Sequence, residues 1–192
     1  MKINNGIFYL FIIALICACS TEGNSELLNA DIIKYDNSKA EGGIHEIVEA
    51  NELMAAQKYL EAIIELEKAQ TRVLNSPDVE LFMINICQKM GICHMRLSNF
   101  QESIENYSKV LSYEPDNFGA LLNRSFAYRS LGKIEKALDD NNKAITFYPN
   151  RPEPFLNIAE INVFRNELDS ACQNYRHAKK IGTNLSEEEI YN

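Results

Sequence analysis

The chain has 192 residues, enough for one domain with a proper core, and its 27 acidic against 19 basic residues give a net charge of −8. A surface this acidic is repelled by phosphate backbones and anionic lipid heads, which argues against nucleic acid as a partner. Any membrane contact then has to come from something other than basic side chains.

The chain opens MKINNGIFYLFIIALICACS, with Lys2 ahead of an apolar stretch from Ile7 to Ala18. A membrane-spanning helix needs roughly 20 apolar residues, so this stretch suits the core of a signal peptide better than a stable span. Ile16-Cys17-Ala18-Cys19 resembles a bacterial lipobox, with small Ala18 directly before the cysteine and an aliphatic residue three places before it. Cys17 fits less well, because bulky Ile16 would precede it. Residues 1–18 are expected to leave as a lipoprotein signal peptide, with Cys19 the lipidated first residue of the mature chain. The alternative is an ordinary cleaved signal in which Cys19 is incidental. A buried acyl chain contributes about 0.8 kcal/mol per methylene, and one chain alone holds only reversibly; the several chains that the resemblance implies would make a lasting anchor. Ser20 in place of Asp favours the outer membrane under the enterobacterial sorting rule, so the expected location is the bacterial cell envelope, at the outer membrane.

Residues 19–42 are polar and end near Gly42-Gly43, which reads as a tether with one helical turn near Glu26–Lys34. From Ile44 onward apolar residues recur three and four apart, as on helices with one buried face. Self-comparison then shows a period. Pro115 and Pro149 are 34 residues apart, in LSYEPDN and ITFYPNR. Ala137 and Ala171, Ala144 and Ala178, and the series Tyr107, Asn141, Tyr175 keep the same interval. A period of 34 with two helices per unit resembles the tetratricopeptide repeat family. The resemblance implies an all-α fold, an α-solenoid of about four helix-turn-helix units in a right-handed superhelix. It places units at 84–117, 118–151 and 152–185, a weaker one at 43–76, hence a domain at 43–185 and a short tail at 186–192.

The residue types suit such hairpins. Close crossing of two antiparallel helices needs small residues, and Gly91, Ser125 and Ala159 stand at that place in the first helices, Ser103, Ala137 and Ala171 in the second. Tyr107, Tyr128, Phe155 and Tyr175 are expected to fill space between layers. Pro115 and Pro149 stop the second helices, and 98–100 and 131–133 turn the chain between helices. Ser76 as cap and Pro77 in the first turn predict a long first helix from about Pro77 to Leu97. Three positions depart from the pattern: His94 and Asn162 stand where a large apolar residue is usual, and Arg124 replaces an aliphatic one. At the end, Gly182 suits a helix C-cap after Lys179-Lys180, and Ser186 with Glu189 forms a capping box.

Catalytic or metal chemistry finds little support. Cys87, Cys93 and His94 share one predicted helix, but Cys87 and His94 are about 10 Å apart along it, too far for one zinc ion with bonds near 2.0–2.3 Å. Small core residues and one polar core histidine are the better reading, with Cys172 partly buried on another helix. Cys87, Cys93 and Cys172 are an odd number and cannot make a complete disulfide framework. Glu187-Glu188-Glu189 reads as a solvated charge run, and the DDNN of 139–142 lacks the turn glycine and distal Glu of a calcium loop. No catalytic residue, no metal and no cofactor is expected, so the chain reads as a non-enzyme.

In the family the first helices line a concave groove. The carried-over register places there Gln88, Lys89, Ile92 and Arg96, then Leu122, Asn123, Phe126 and Arg129, then Leu156, Asn157, Glu160 and Phe164. Asn123 and Asn157 could bond the backbone of an extended peptide, Ile92, Leu122 and Phe126 could receive apolar side chains, and Lys89, Arg96 and Arg129 could pair with acidic ones. The bland reading is that these residues only solvate a face. The carboxylate clamp of cytosolic co-chaperones, a Lys and an Asn four apart, is missing: Asn51 has Ile47 in that place, and Lys89 is followed by Cys93. The expected function is a lipid-anchored scaffold binding a protein or peptide partner in the envelope. The alternative is a self-assembling or accessory subunit of a secretion, pilus or nutrient-uptake complex.

Overall fold

The computed structural model describes residues 43–74, 76 and 78–183, all within the compact unit Gly42–Asn192. The expected signal peptide, Cys19, the tether with its turn near Glu26–Lys34, Pro77, and the Ser186–Glu189 capping box lie outside the described residues. Those described form an all-α fold with no strand among them. The helices are α1 (Ile44–Ala55), α2 (Tyr59–Val73), α3 (Val79–Arg96), α4 (Phe100–Tyr113), α5 (Phe118–Ser130), α6 (Ile134–Phe147), α7 (Glu153–Phe164) and α8 (Leu168–Thr183). They pair as four antiparallel hairpins, α1–α2 to α7–α8. Each second helix also packs on the next first helix, and the first helices α3, α5 and α7 touch in series. This is the packing of a tetratricopeptide-type solenoid. No helix among the described residues is long and apolar enough to cross a membrane.

The small residues let each hairpin close. Ser103 Oγ of α4 donates to the Gly91 carbonyl of α3 at 3.0 Å. One hairpin on, Ser125 Oγ of α5 donates to the Ala137 carbonyl of α6, also at 3.0 Å. The same crossing is thus pinned twice by a hydroxyl that changes helix. A carbonyl already bonded along its helix has a second lone pair free for such a bond.

All four hairpin turns share one conformation. Gln57, Ser98, Gly132 and Asn166 have φ between 60° and 71°, and each is followed by a residue whose N–H reaches back five places: Lys58 to Leu53, Asn99 to His94, Lys133 to Tyr128 and Glu167 to Asn162, at 2.8–2.9 Å. This is the left-handed helix ending that satisfies orphan carbonyls. Only one turn uses glycine, so the other three hold strained backbone in place through those bonds. The second helices α4 and α6 stop at Tyr113 and Phe147, two residues before Pro115 and Pro149, because the residue before a proline is pushed out of helical conformation.

Some expectations need correction. α3 begins at Val79, with Asp78 rather than Ser76 at its N-cap; Ser76 Oγ instead accepts from the Asp78 N–H at 3.3 Å, forming a turn before the helix. Gly182 does not end α8, which continues through it to Thr183 against Pro152 at the start of α7. Cys172 is exposed and Tyr175 is 43% exposed, although their counterparts Ile104 and Tyr107 are buried. The reason is position: α8 closes the described array, and no further hairpin lies over it.

Candidate functional site

Arg124, the charge at an aliphatic position, is bound on three sides. Its Nε and Nη2 donate to Asp140 Oδ2 and Oδ1 at 2.8 and 2.7 Å, and Nη1 donates to Ser108 Oγ at 2.9 Å. Asp140 is 1% exposed. Burial alone would lower the guanidinium pKa, but the bonded and facing carboxylate of Asp140 reverses this and the net shift is upward. The pair joins α4, α5 and α6. Arg124 also floors an open cleft of about 360 Å³ between α4 and α6, walled by Leu111, Pro115, Leu121 and Phe147. One unit later Phe155 and His177 stand at the places of Leu121 and Lys143, set edge-on with centroids 4.4 Å apart.

A second network runs one layer inward. Asn141, fully buried, donates to Ser125 Oγ at 2.5 Å and to the Ala137 carbonyl at 2.9 Å. Its own oxygen accepts from Asn157 Nδ2 at 3.1 Å. Asn123, at the register position of Asn157, faces the Tyr107 hydroxyl and offsets part of the upward pKa shift that burial imposes on that phenol. Both carboxamides expected to meet a peptide are half-buried and reach back to the preceding hairpin. Their remaining polar atoms are what a ligand could use.

The other first-helix residues gather into a surface between α5 and α7. Arg129 Nη1 is ion-paired with Glu160, and its guanidinium lies 5.4 Å from the centroid of the Phe126 ring. Phe126 packs edge-on against Phe100 of α4, centroids 6.3 Å apart. Arg129, Glu160 and Phe164 line a cleft of about 340 Å³ together with Gly132 and Ile134. Phe164 is 80% exposed. Leu156 is also exposed, and Leu122 is half-buried. Gln88, Lys89, Ile92 and Arg96 stand on α3 and do not line that cleft. Sequence reasoning missed Phe100, Gly132 and Ile134. A signal for two of them existed, since Phe100, Ile134 and Leu168 share one register position at the start of the second helices, next to the turns.

No cluster of three or more His, Cys, Asp or Glu is placed to hold a metal ion among the described residues. Burial pushes the Cys87 thiol up, and the Cys93 thiol up to about 11, with Lys109 and Lys89 respectively opposing. His94 is held below its ordinary value by burial, against the pull of Glu102, Glu67 and Glu105. Burial thus holds both thiols in the neutral form, and the thiolate is the reactive one. Iodoacetamide is therefore expected to label Cys172 in the native chain and to spare Cys87 and Cys93 until denaturant is added. Peptide mapping checks this, and Cys93 labelled as fast as Cys172 would show an open layer.

The sequence profile of the tetratricopeptide repeat family matches residues 84–117 and 118–151. The chain is 35% identical over 106 residues to a DnaJ homolog subfamily C member 3 homolog of Dictyostelium discoideum, covering 54% of this chain and 20% of that protein. It is 39% identical over 59 residues to tetratricopeptide repeat protein 36 of Caenorhabditis elegans, covering 31% of this chain and 33% of that one. The chain thus spans a third or less of these relatives. Among solved structures, MamA from Desulfovibrio magneticus RS-1 superposes with a TM-score of 0.70 over 93% of this chain and 96% of that one, at 13% identity, a likeness of fold alone. Residues 84–151 of this chain match two tetratricopeptide repeats in sequence, and a helical hairpin with the same turn flanks them on each side.

Proposed function

We propose that the chain is a non-catalytic adaptor, anchored through a lipid on Cys19 in a bacterial cell envelope at the outer membrane, that docks a peptide segment of a protein partner on the face made by its first helices. The observation that carries the reading is the cleft between α5 and α7. Phe164 stands exposed in its lining and Phe126 stands exposed on α5 beneath the guanidinium of Arg129, and the Arg129–Glu160 pair crosses between the helices. Surface aromatics with an arginine are the residues that most often dominate protein interfaces. A peptide apolar side chain entering beside Phe164 would meet Ile134 and the bare backbone of Gly132, where a Cβ would find nothing within 4 Å. Glu160 and Arg129 offer a charge of either sign to flanking residues. Repeat proteins commonly bind through such extended surfaces.

Two variants made in the producing cell test anchor and docking separately. Cys19→Ser is expected to move the chain from the membrane to the soluble fraction while it still co-purifies with its partner. Phe126→Ala/Phe164→Ala is expected to stay in the membrane and lose the partner about 100-fold, as two aromatic anchors imply. The matched control Tyr113→Ala/Phe147→Ala, exposed residues at the ends of the second helices α4 and α6, should change nothing. Equal loss from both pairs contradicts the docking face, and a membrane-bound Cys19→Ser chain contradicts the anchor.

A further inference from the structure

The apolar core is uneven along the array. Its contiguous cluster runs from Ala50 of α1 to Ala120 at the start of α5, and takes in Leu66, Ile86, Tyr107 and Val110. The first hairpin is tied into it through Ala62, Ile63, Leu66 and Val73 of α2. The third and fourth hairpins are held differently. At the register places of Tyr107 and Val110, α6 buries Asn141 and Ala144, with Ala137 and Asp140 beside them. On α7 the buried residues are Pro154, Ala159, Ile161 and Asn162, and α8 buries Ala171 and Ala178. None of these belongs to the apolar cluster.

Polar bonds join the third hairpin to the fourth. Asn157 Nδ2 donates to Asn141 Oδ1 at 3.1 Å. Glu160 pairs with Arg129, and Arg165 Nη1 lies 3.2 Å from Glu135 Oε1. The two carboxylate side chains are 49% and 84% exposed, and exposed ion pairs add little to stability. A protein hydrogen bond replaces one made to water, so its net gain is also modest. Apolar burial is the main driving force, and the α6–α7 seam has the smaller side chains to supply it.

We propose that the α7–α8 hairpin opens from α6 as a unit while α1–α4 stay folded, at a seam closed by small and polar side chains. Unevenly packed chains open in such cooperative pieces. The cleft lies across this seam, with Arg129, Gly132 and Ile134 on one side and Glu160 and Phe164 on the other. Each opening parts its walls, so the cleft exists in the closed array alone. A terminal position does not account for the difference, because α1–α2 is as terminal among the described hairpins and lies inside the apolar cluster. The inference rests on packing and is independent of whether a peptide docks in the cleft.

Native-state hydrogen exchange of the full chain in detergent, read peptide by peptide in a mass spectrometer, tests it. Amides of α7 and α8 are expected to exchange together, about 100-fold or more faster than those of α4, while α2 keeps protection near that of α4. Asn157→Ala should speed α7 and α8 about a further tenfold and leave α2 and α4 unchanged. Asn141→Leu/Asn157→Leu, which sets apolar side chains across the seam, should slow α7 and α8 instead. Equal protection of α2 and α8, whether both slow or both fast, overturns the proposal. So does an Asn157→Ala chain in which every helix speeds up alike, since the array would then open as one piece.

Discussion

Asp140→Ala is expected to lower the unfolding free energy by about 3–5 kcal/mol, a large part of the ~5–15 kcal/mol a domain of this size holds. The cost is the charge left behind. Arg124, its side chain only 16% exposed, would keep its bond to Ser108 but lose both bonds to its buried carboxylate partner at the floor of the cleft. The pair itself need not be stabilising, because removing two ions from water offsets much of their attraction. Arg124→Met/Asp140→Leu is therefore expected to recover most of the loss. Urea unfolding followed by circular dichroism compares the three chains. A single variant no worse than the double would mean that water entering the cleft solvates Arg124 as well as Asp140 does.

Gly91→Ala is expected to destabilise by about 1–3 kcal/mol even though alanine is the better helix former by about 1 kcal/mol. A Cβ at 91 would lie 2.8, 2.9 and 3.0 Å from Cζ, Cε2 and Cε1 of Tyr107. That ring is 1% exposed and rigid, so it cannot swing away as a long flexible side chain would. Tyr107→Leu in the same chain should relieve the clash, making the double variant better than the sum of the two. Gly119→Ala is the control, since its Cβ would meet only Asn117 Oδ1 at 3.7 Å; it should be neutral or mildly stabilising. Thermal unfolding of the four chains decides. An unchanged melting point for Gly91→Ala would mean that α3 and α4 sit further apart than described.

The hairpins were legible because two independent patterns agree in phase. Small residues fall where helices cross, and prolines fall where the second helices end. Gly91 and Ser103 could be paired from spacing alone, and the structure closes them to a hydrogen bond. The sequence marks turns at 98–100 and 131–133, but the left-handed backbone was legible only at Gly132, since Gln57, Ser98 and Asn166 adopt it without the residue that advertises it. Arg124 looked like a defect because its explanation, Asp140, lies 16 residues on and on another helix. The pattern makes Cys172 partly buried and Tyr175 a filler between layers, because a repeat position does not say whether another hairpin covers it. The candidate site was legible in part for the same reason. The register puts Phe126, Arg129, Glu160 and Phe164 on first helices, and three of these line one cleft. It also put Asn157 there, whose amide reaches the layer behind. A helix has more than one face per turn, and spacing within one repeat does not say which neighbour takes which face.

The most direct measurement is photo-cross-linking in the producing cell from single positions on the two helical faces. A photoreactive residue at position 164 is expected to join the chain to one protein partner, and the same partner should be caught from position 126. Positions 113 and 147 on the second helices should not catch it. The account is contradicted if positions 113 and 147 catch the partner while 126 and 164 stay unjoined.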